Sequence, residues 1–192
     1  MTHALCLVVI PGDTEDVEGA VAAAMEPYNE NVNDAGWWDW WQIGGRYSGA
    51  FSEYDPRTDQ RNWEECLLCR GTGIRNDSIA QAHRRENPDY TCNGCSYHQP
   101  EGIPTGWRVK WPSDWAPVRS NVMKVADWLT LPEDRRNCFA VVIPEVGGHE
   151  REIYVPDASD GKHFPDNPAF PDTYAAIGRF PDALIVAVDY HS

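Results

Sequence analysis

Two cysteine pairs, Cys66-Leu-Leu-Cys69 and Cys92-Asn-Gly-Cys95, are the residues whose types and spacing most directly imply chemistry. A CxxC turn brings two thiolates to one ion. Two such turns, about two dozen residues apart, compose one tetrahedral zinc site. A site closed by four sulfurs leaves no open position for water or substrate. The expected cofactor is therefore one structural Zn2+ held by Cys66, Cys69, Cys92 and Cys95. His83 and His98 could replace a cysteine, but four cysteines already fill the site. Cys6 and Cys138 fall in apolar runs and read as inert core residues.

A second group of reactive types lies in Trp37-Trp38-Asp39-Trp40-Trp41-Gln42-Ile43-Gly44-Gly45-Arg46-Tyr47-Ser48-Gly49. Strand alternation would place Trp38, Trp40 and Gln42 on one face, and Trp37, Asp39, Trp41 and Ile43 on the other. Two readings stay open. One is a core strand ending in a hairpin tip. The other is an aromatic platform of Trp38, Trp40, Trp41 and Tyr47 with Arg46 beside it, suited to stack a base or grip a phosphate. The glycine pair is neither a Walker A loop nor a dinucleotide fingerprint. Asp39, Arg46, Asp189 and His191 are polar residues at strand ends or beside turns. If the last strand lies near the Trp block they converge, with an Asp–His pair as general base and Arg46 on an anion. The competing reading makes Asp189 and His191 a frayed end, and Asp39 the partner of a Trp indole.

Several elements must position these residues. Residues 4–10 form a continuous apolar run, suited to a strand buried on both faces. Pro11-Gly12 ends it, Asp13 is placed to N-cap a helix with Asp16 in its first turn, and Val17, Ala20, Val21, Ala24 and Met25 recur at helical spacing. The Trp block follows as a strand. Gly44-Gly45 is the expected two-residue turn of a hairpin, with residues 46–51 returning. Beyond the insert come Trp107–Trp111 and the 113–117 stretch. A short helix is expected from Ser120 or Asn121, carrying Val122, Val125, Ala126 and Leu129. Residues 138–143 read as a second buried strand. Gly147-Gly148 then turns into a strand at 152–155. An irregular loop at 156–171, a helix at 172–179 and a final strand at 183–188 complete the chain. The fold class expected is α+β, a mainly antiparallel, ferredoxin-like sheet with helices on one face and a small zinc module inserted. Residues 1–55 and 106–192 would form one discontinuous body, and 56–105 the insert.

Charge separates these two parts. The chain of 192 residues carries a formal net charge of −14. Residues 56–111 hold eight Lys and Arg against seven Asp and Glu, and the remainder holds eight against 23. An acidic body cannot release counterions from phosphates, which argues against non-specific nucleic-acid binding by it. Any such contact would run through the arginine-bearing insert. The acidic surface serves solubility or docks on a basic partner. No apolar run reaches the roughly 20 residues of a membrane-spanning helix, and the apolar start reads as a strand rather than a signal peptide. The expected compartment is the cytoplasm, where thiols stay reduced.

Cys66-Leu-Leu-Cys69-Arg-Gly71-Thr-Gly73 matches CxxCxGxG, the repeat of the cysteine-rich region of DnaJ-type chaperones. The second pair lacks the glycines, and no His-Pro-Asp signature is present. The DWWQIGGRYSG block, this insert, the WPSDWAP stretch and the VAVDYHS ending together resemble a family of uncharacterised bacteriophage proteins. Tyr47 stands where that family commonly has Trp. The resemblance implies no activity. The expected function is that of a small zinc-containing phage-type protein of the host cytoplasm, acting by binding a host protein, a nucleotide or a nucleic acid. The alternative is an enzyme on a nucleotide or nucleic-acid substrate working through Asp39, Arg46, Asp189 and His191.

Overall fold

The computed structural model describes residues 3–34, 36, 38–52, 54–95, 102–110, 121–144, 152–154 and 170–191, with the side chains of 152–154 and 170–173 excepted. Trp37, His98, residues 111–120, the Gly147-Gly148 turn and the loop at 156–169 lie outside them. Two compact units result, one formed by Met1–Tyr54 with Ser113–Ser192 and the other by Asp55–Pro112.

The larger unit is built on strands β1 (His3–Ile10), β2 (Trp40–Ile43), β5 (Val122–Lys124), β6 (Ala140–Ile143), β7 (Glu152–Tyr154) and β8 (Leu184–His191). Their order is β2-β8-β1-β6-β7, with β5 also pairing β8. β2 takes the half of β8 from Val188 to His191 and β5 the half from Leu184 to Val186. β8 runs antiparallel to β1 along its whole length, whereas β1 and β6 are parallel, Cys6 opposite Ala140. The expectation of a mainly antiparallel, ferredoxin-like sheet is thereby corrected: the sheet is mixed. A ferredoxin-like fold keeps a strand between the parallel members of each β–α–β unit. Here β1 and β6 are direct neighbours, and the long connection between them gives the chain room to cross over.

Helices on one face is the second correction. Side chains alternate across a strand, so a run apolar at every position supplies two cores. Cys6, Val8, Ile10, Val186 and Val188 pack with Val21, Ala24 and Met25 of α1 (Val17–Met25). Leu7, Val9, Ile185 and Ala187 face the other way. There they meet Val125 and Trp128 of α3 (Val125–Trp128), and Ala176 and Ile177 of α4 (Phe170–Gly178). Helices therefore cover both faces. The cap of α1 is Asp16, whose carboxylate accepts the Gly19 N–H at 2.9 Å, in place of Asp13. Asn121 caps no helix. It leads into β5, and the helical turn starts only at Val125.

The smaller unit contains β3 (Trp63–Glu65), α2 (Ser78–Glu86) and β4 (Trp107–Val109). β3 and β4 pair antiparallel, with Glu65 opposite Trp107, which carries this unit past residue 105. Asp77 caps α2 by accepting the Ala80 N–H at 3.0 Å.

Candidate functional site

The Trp block does not form a hairpin. β2 ends at Ile43, a 3-10 turn covers Gly45–Tyr47, and β2 pairs with β8 instead of with a returning strand. The cause is a competing set of partners on β8. The Gly44 N–H donates to the Ala187 carbonyl at 2.9 Å, and the Arg46 N–H donates to the Asp189 carboxylate at 2.9 Å. Gly45 has φ of 52°, and a Cβ on it would lie 2.5 Å from Asp189 Oδ2. Only glycine lets the chain wrap this closely round the carboxylate. Asn121, fully buried, closes the loop by accepting the Gly49 N–H at 2.8 Å.

β8 extends three residues beyond the expected strand, so Asp189 and His191 belong to the sheet and are no frayed end. Trp40, His191 and His3 are cross-strand neighbours, and so are Gln42, Asp189 and Leu5. Alternation puts all six on one face. His3 reaches diagonally across β1–β8, and its Nδ1 lies 2.9 Å from Asp189 Oδ1. His191 Nδ1 lies 2.6 Å from Asp39 Oδ1. A carboxylate accepts, so each Nδ1 carries the proton and each Nε2 is left to exchange one. The two imidazole rings stand 5.2 Å apart, edge to face, and His3 lies 5.6 Å from the Trp40 ring. Asp189 is 1% exposed, while the side chains of His3 and His191 keep 23% and 18%. A buried carboxylate needs such donors to offset its desolvation.

Asp39, Arg46, Asp189 and His191 thus meet at one end of β8, Arg46 touching Asp189 through its backbone N–H while its side chain is exposed. The aromatic residues separate. Trp38 is fully buried in the α1-side core against Tyr28 and Tyr190, and Trp41 packs on the same side. Trp40 remains 41% exposed, and Tyr47 donates its hydroxyl to the His3 carbonyl at 3.2 Å. Burial, and then the Asp189 charge, push the Tyr47 phenol above its ordinary value, so it stays a neutral donor. His3 was missed by sequence reasoning. Its only signal is alternation along β1, which has meaning once the β1–β8 register is known.

β6 begins opposite Cys6, and just before it the Phe139 N–H donates to the Leu5 carbonyl at 2.8 Å, so among the described residues His3 and Ala4 have β8 on one side and no strand on the other. A cleft of about 510 Å3 lies beside these residues, lined among others by His3, Tyr47, Asp134, Arg135, Asn137 and Phe139. That volume suits a small organic ligand.

In the smaller unit Cys66, Cys69, Cys92 and Cys95 are all buried, with their sulfurs within 4.8 Å of one another. The Cys66–Cys92 and Cys69–Cys95 sulfur pairs are each 3.7 Å apart. This is too long for a disulfide, and it matches the roughly 3.8 Å edge of a tetrahedron with metal–sulfur bonds of about 2.3 Å. Backbone hydrogen bonds set the geometry: the Cys66 N–H donates to the Gly106 carbonyl and the Cys92 N–H to the Gly73 carbonyl, both at 2.9 Å. Gly106 has φ of 91°, and a Cβ there would strike the Gly71 carbonyl at 2.1 Å. Burial raises the Cys66 thiol, but the N–H groups of Cys69 and Leu68 and the neighbouring Cys92 and Cys69 thiols together outweigh it, and the net shift is downward. Burial and the adjoining thiols push Cys95 up to about 12. Such a cluster fits a metal cation, which would replace the protons the thiols otherwise share.

No protein-family model, curated protein or solved structure matches this chain.

Proposed function

We propose that the larger unit binds a small, phosphate-bearing, nucleotide-like ligand in the cleft beside His3, and that the smaller unit holds one structural zinc. The observation that carries the first part is the cleft itself. Its lining includes the planar side chains Phe139 and Tyr47, suited to a base, together with Arg135, suited to an anion. Exposed Arg46 stands on the Gly45–Tyr47 turn, whose backbone is held on Asp189. A pocket of this size takes a mononucleotide-sized molecule, and the acidic body disfavours a long polyanion. The motif resemblance supports a phage-type protein of the host cytoplasm, and no helix among the described residues is long and apolar enough to cross a membrane.

Titration of the zinc-loaded full chain with nucleotides, cyclic ones included, checks the ligand. Saturable quenching of Trp fluorescence is expected, with Arg46→Ala and Tyr47→Ala weakening it several-fold. A salt-sensitive complex with a basic host protein and no nucleotide response would instead favour a protein partner. For the metal, elemental analysis of protein prepared without chelator should return one zinc per chain, and Cys66→Ser should lower it. Zinc is preferred because four thiolates at tetrahedral spacing suit its softness and geometry.

A further inference from the structure

We propose that His3 and His191, each braced by its own carboxylate, form a two-imidazole acid–base site that cleaves a phosphodiester of the nucleotide ligand, an inference resting on the nucleotide reading above. Sequence motifs pointed to a single Asp–His pair. The register of β1, β8 and β2 builds two, Asp189–His3 and Asp39–His191, with ring centroids 5.2 Å apart. Each Nδ1 is committed to its carboxylate, at 2.9 Å and 2.6 Å. No hydrogen bond engages either Nε2 among the described residues. Two imidazoles so oriented and still partly open to solvent serve a reaction that must remove one proton and deliver another. A single structural histidine would need neither a duplicate nor a second buttress.

Phosphodiester cleavage has that requirement. One neutral imidazole takes the proton of an attacking hydroxyl, from water or from a neighbouring ribose, as its oxygen bonds to phosphorus. The other, as imidazolium, gives its proton to the leaving oxygen as the phosphorus–oxygen bond breaks. No electron is transferred, and a final proton exchange with water resets the pair. His3 lines the cleft and its ring lies 5.2 Å from that of His191, so a ligand held in the cleft comes within reach of the pair through His3. Arg46 is exposed and its backbone N–H is held on Asp189, so a positive charge for the phosphoryl oxygens is available on the adjoining turn. Asp39 and Asp189 are positioning residues.

The test uses the zinc-loaded full chain with bis(p-nitrophenyl) phosphate, a ribo- and a deoxyribo-dinucleoside monophosphate, and a 3′,5′-cyclic nucleotide. Cleavage of at least one is expected. His3→Asn and His191→Asn should each lower the rate roughly 10²- to 10⁴-fold while thermal melting shows them folded. Added imidazole should restore part of the activity of His191→Ala. Because Asp39 is exposed, Asp39→Asn keeps the fold. It should lose about tenfold or more in rate, recovered in part by Asp39→Glu. Cleavage of the ribo- but not the deoxyribo-compound assigns the nucleophile to the ribose hydroxyl, and cleavage of both assigns it to water. Either supports the pair. Saturable nucleotide binding with no cleavage of any compound overturns the acid–base site and leaves the nucleotide reading standing. No binding and no cleavage overturns both. Histidine variants that cleave within about threefold of the parent also sink the proposal.

Discussion

Asp189 is the residue on which the site turns. It is buried and reached by a ring N–H from His3 and a backbone N–H from Arg46. The backbone donor exists only because Gly45 lets the turn come this close. Gly45→Ala would place a methyl group 2.5 Å from Oδ2, at φ of 52°. The carboxylate is held from two sides, so it has little room to yield. Such a substitution should cost roughly 1–3 kcal/mol of stability. A urea midpoint shifted down at unchanged slope would show it, and an unchanged midpoint would mean the turn is softer than its hydrogen bonds imply. Asn121→Ala tests the other end of the loop. It strips the Gly49 N–H of its acceptor and should also cost about 1–3 kcal/mol.

Elements show why some of this was legible in sequence and some was not. β1 declares itself through uninterrupted apolar residues, and α1 through its spacing, because both signals are local. The Gly44-Gly45 pair suggests a hairpin for the same local reason. Its true competitor, β8, lies more than 140 residues away in sequence, where the Arg46 N–H finds Asp189. Periodicity cannot rank a distant partner against a near one. The same blindness hid His3, whose value comes from lying opposite His191, and it hid the crossover that makes the sheet mixed. The four cysteines were legible because metal-ligand spacing is itself a local code. α3 was half legible. Its apolar residues stood out, but a helix of four residues has no stability of its own and exists by packing. Trp128 supplies that packing, fully buried and edge-on to Tyr174 at 5.5 Å. Trp128→Ala should therefore cost about 3–5 kcal/mol. Trp128→Phe should recover most of this, since the indole N–H has no hydrogen-bond partner among the described residues. Equal losses in both variants, by chemical denaturation, would show that the indole N–H matters.

At the scale of the whole molecule, two units rest on different physics. The larger one has apolar cores on both faces of its sheet. Among the described residues of the smaller one the buried apolar cluster is the four cysteines, and Leu67, Leu68, Ile74 and Ile79 are exposed. Unit sizes of this order seldom fold on apolar burial alone. A metal bound by the sulfurs would therefore supply folding free energy to residues 55–112 and none to the sheet of the larger unit. Chelation at neutral pH should unfold that segment selectively. Limited proteolysis would then cut between residues 55 and 112, while amide protection along β1 and β8 persists. Restoring zinc should restore resistance to cutting. The histidine site lies wholly in the larger unit, so nucleotide quenching of Trp fluorescence should survive chelation with little change in affinity. Loss of that quenching together with the metal would show that the cysteine unit completes the ligand site. Its role would then no longer be confined to stapling its own chain.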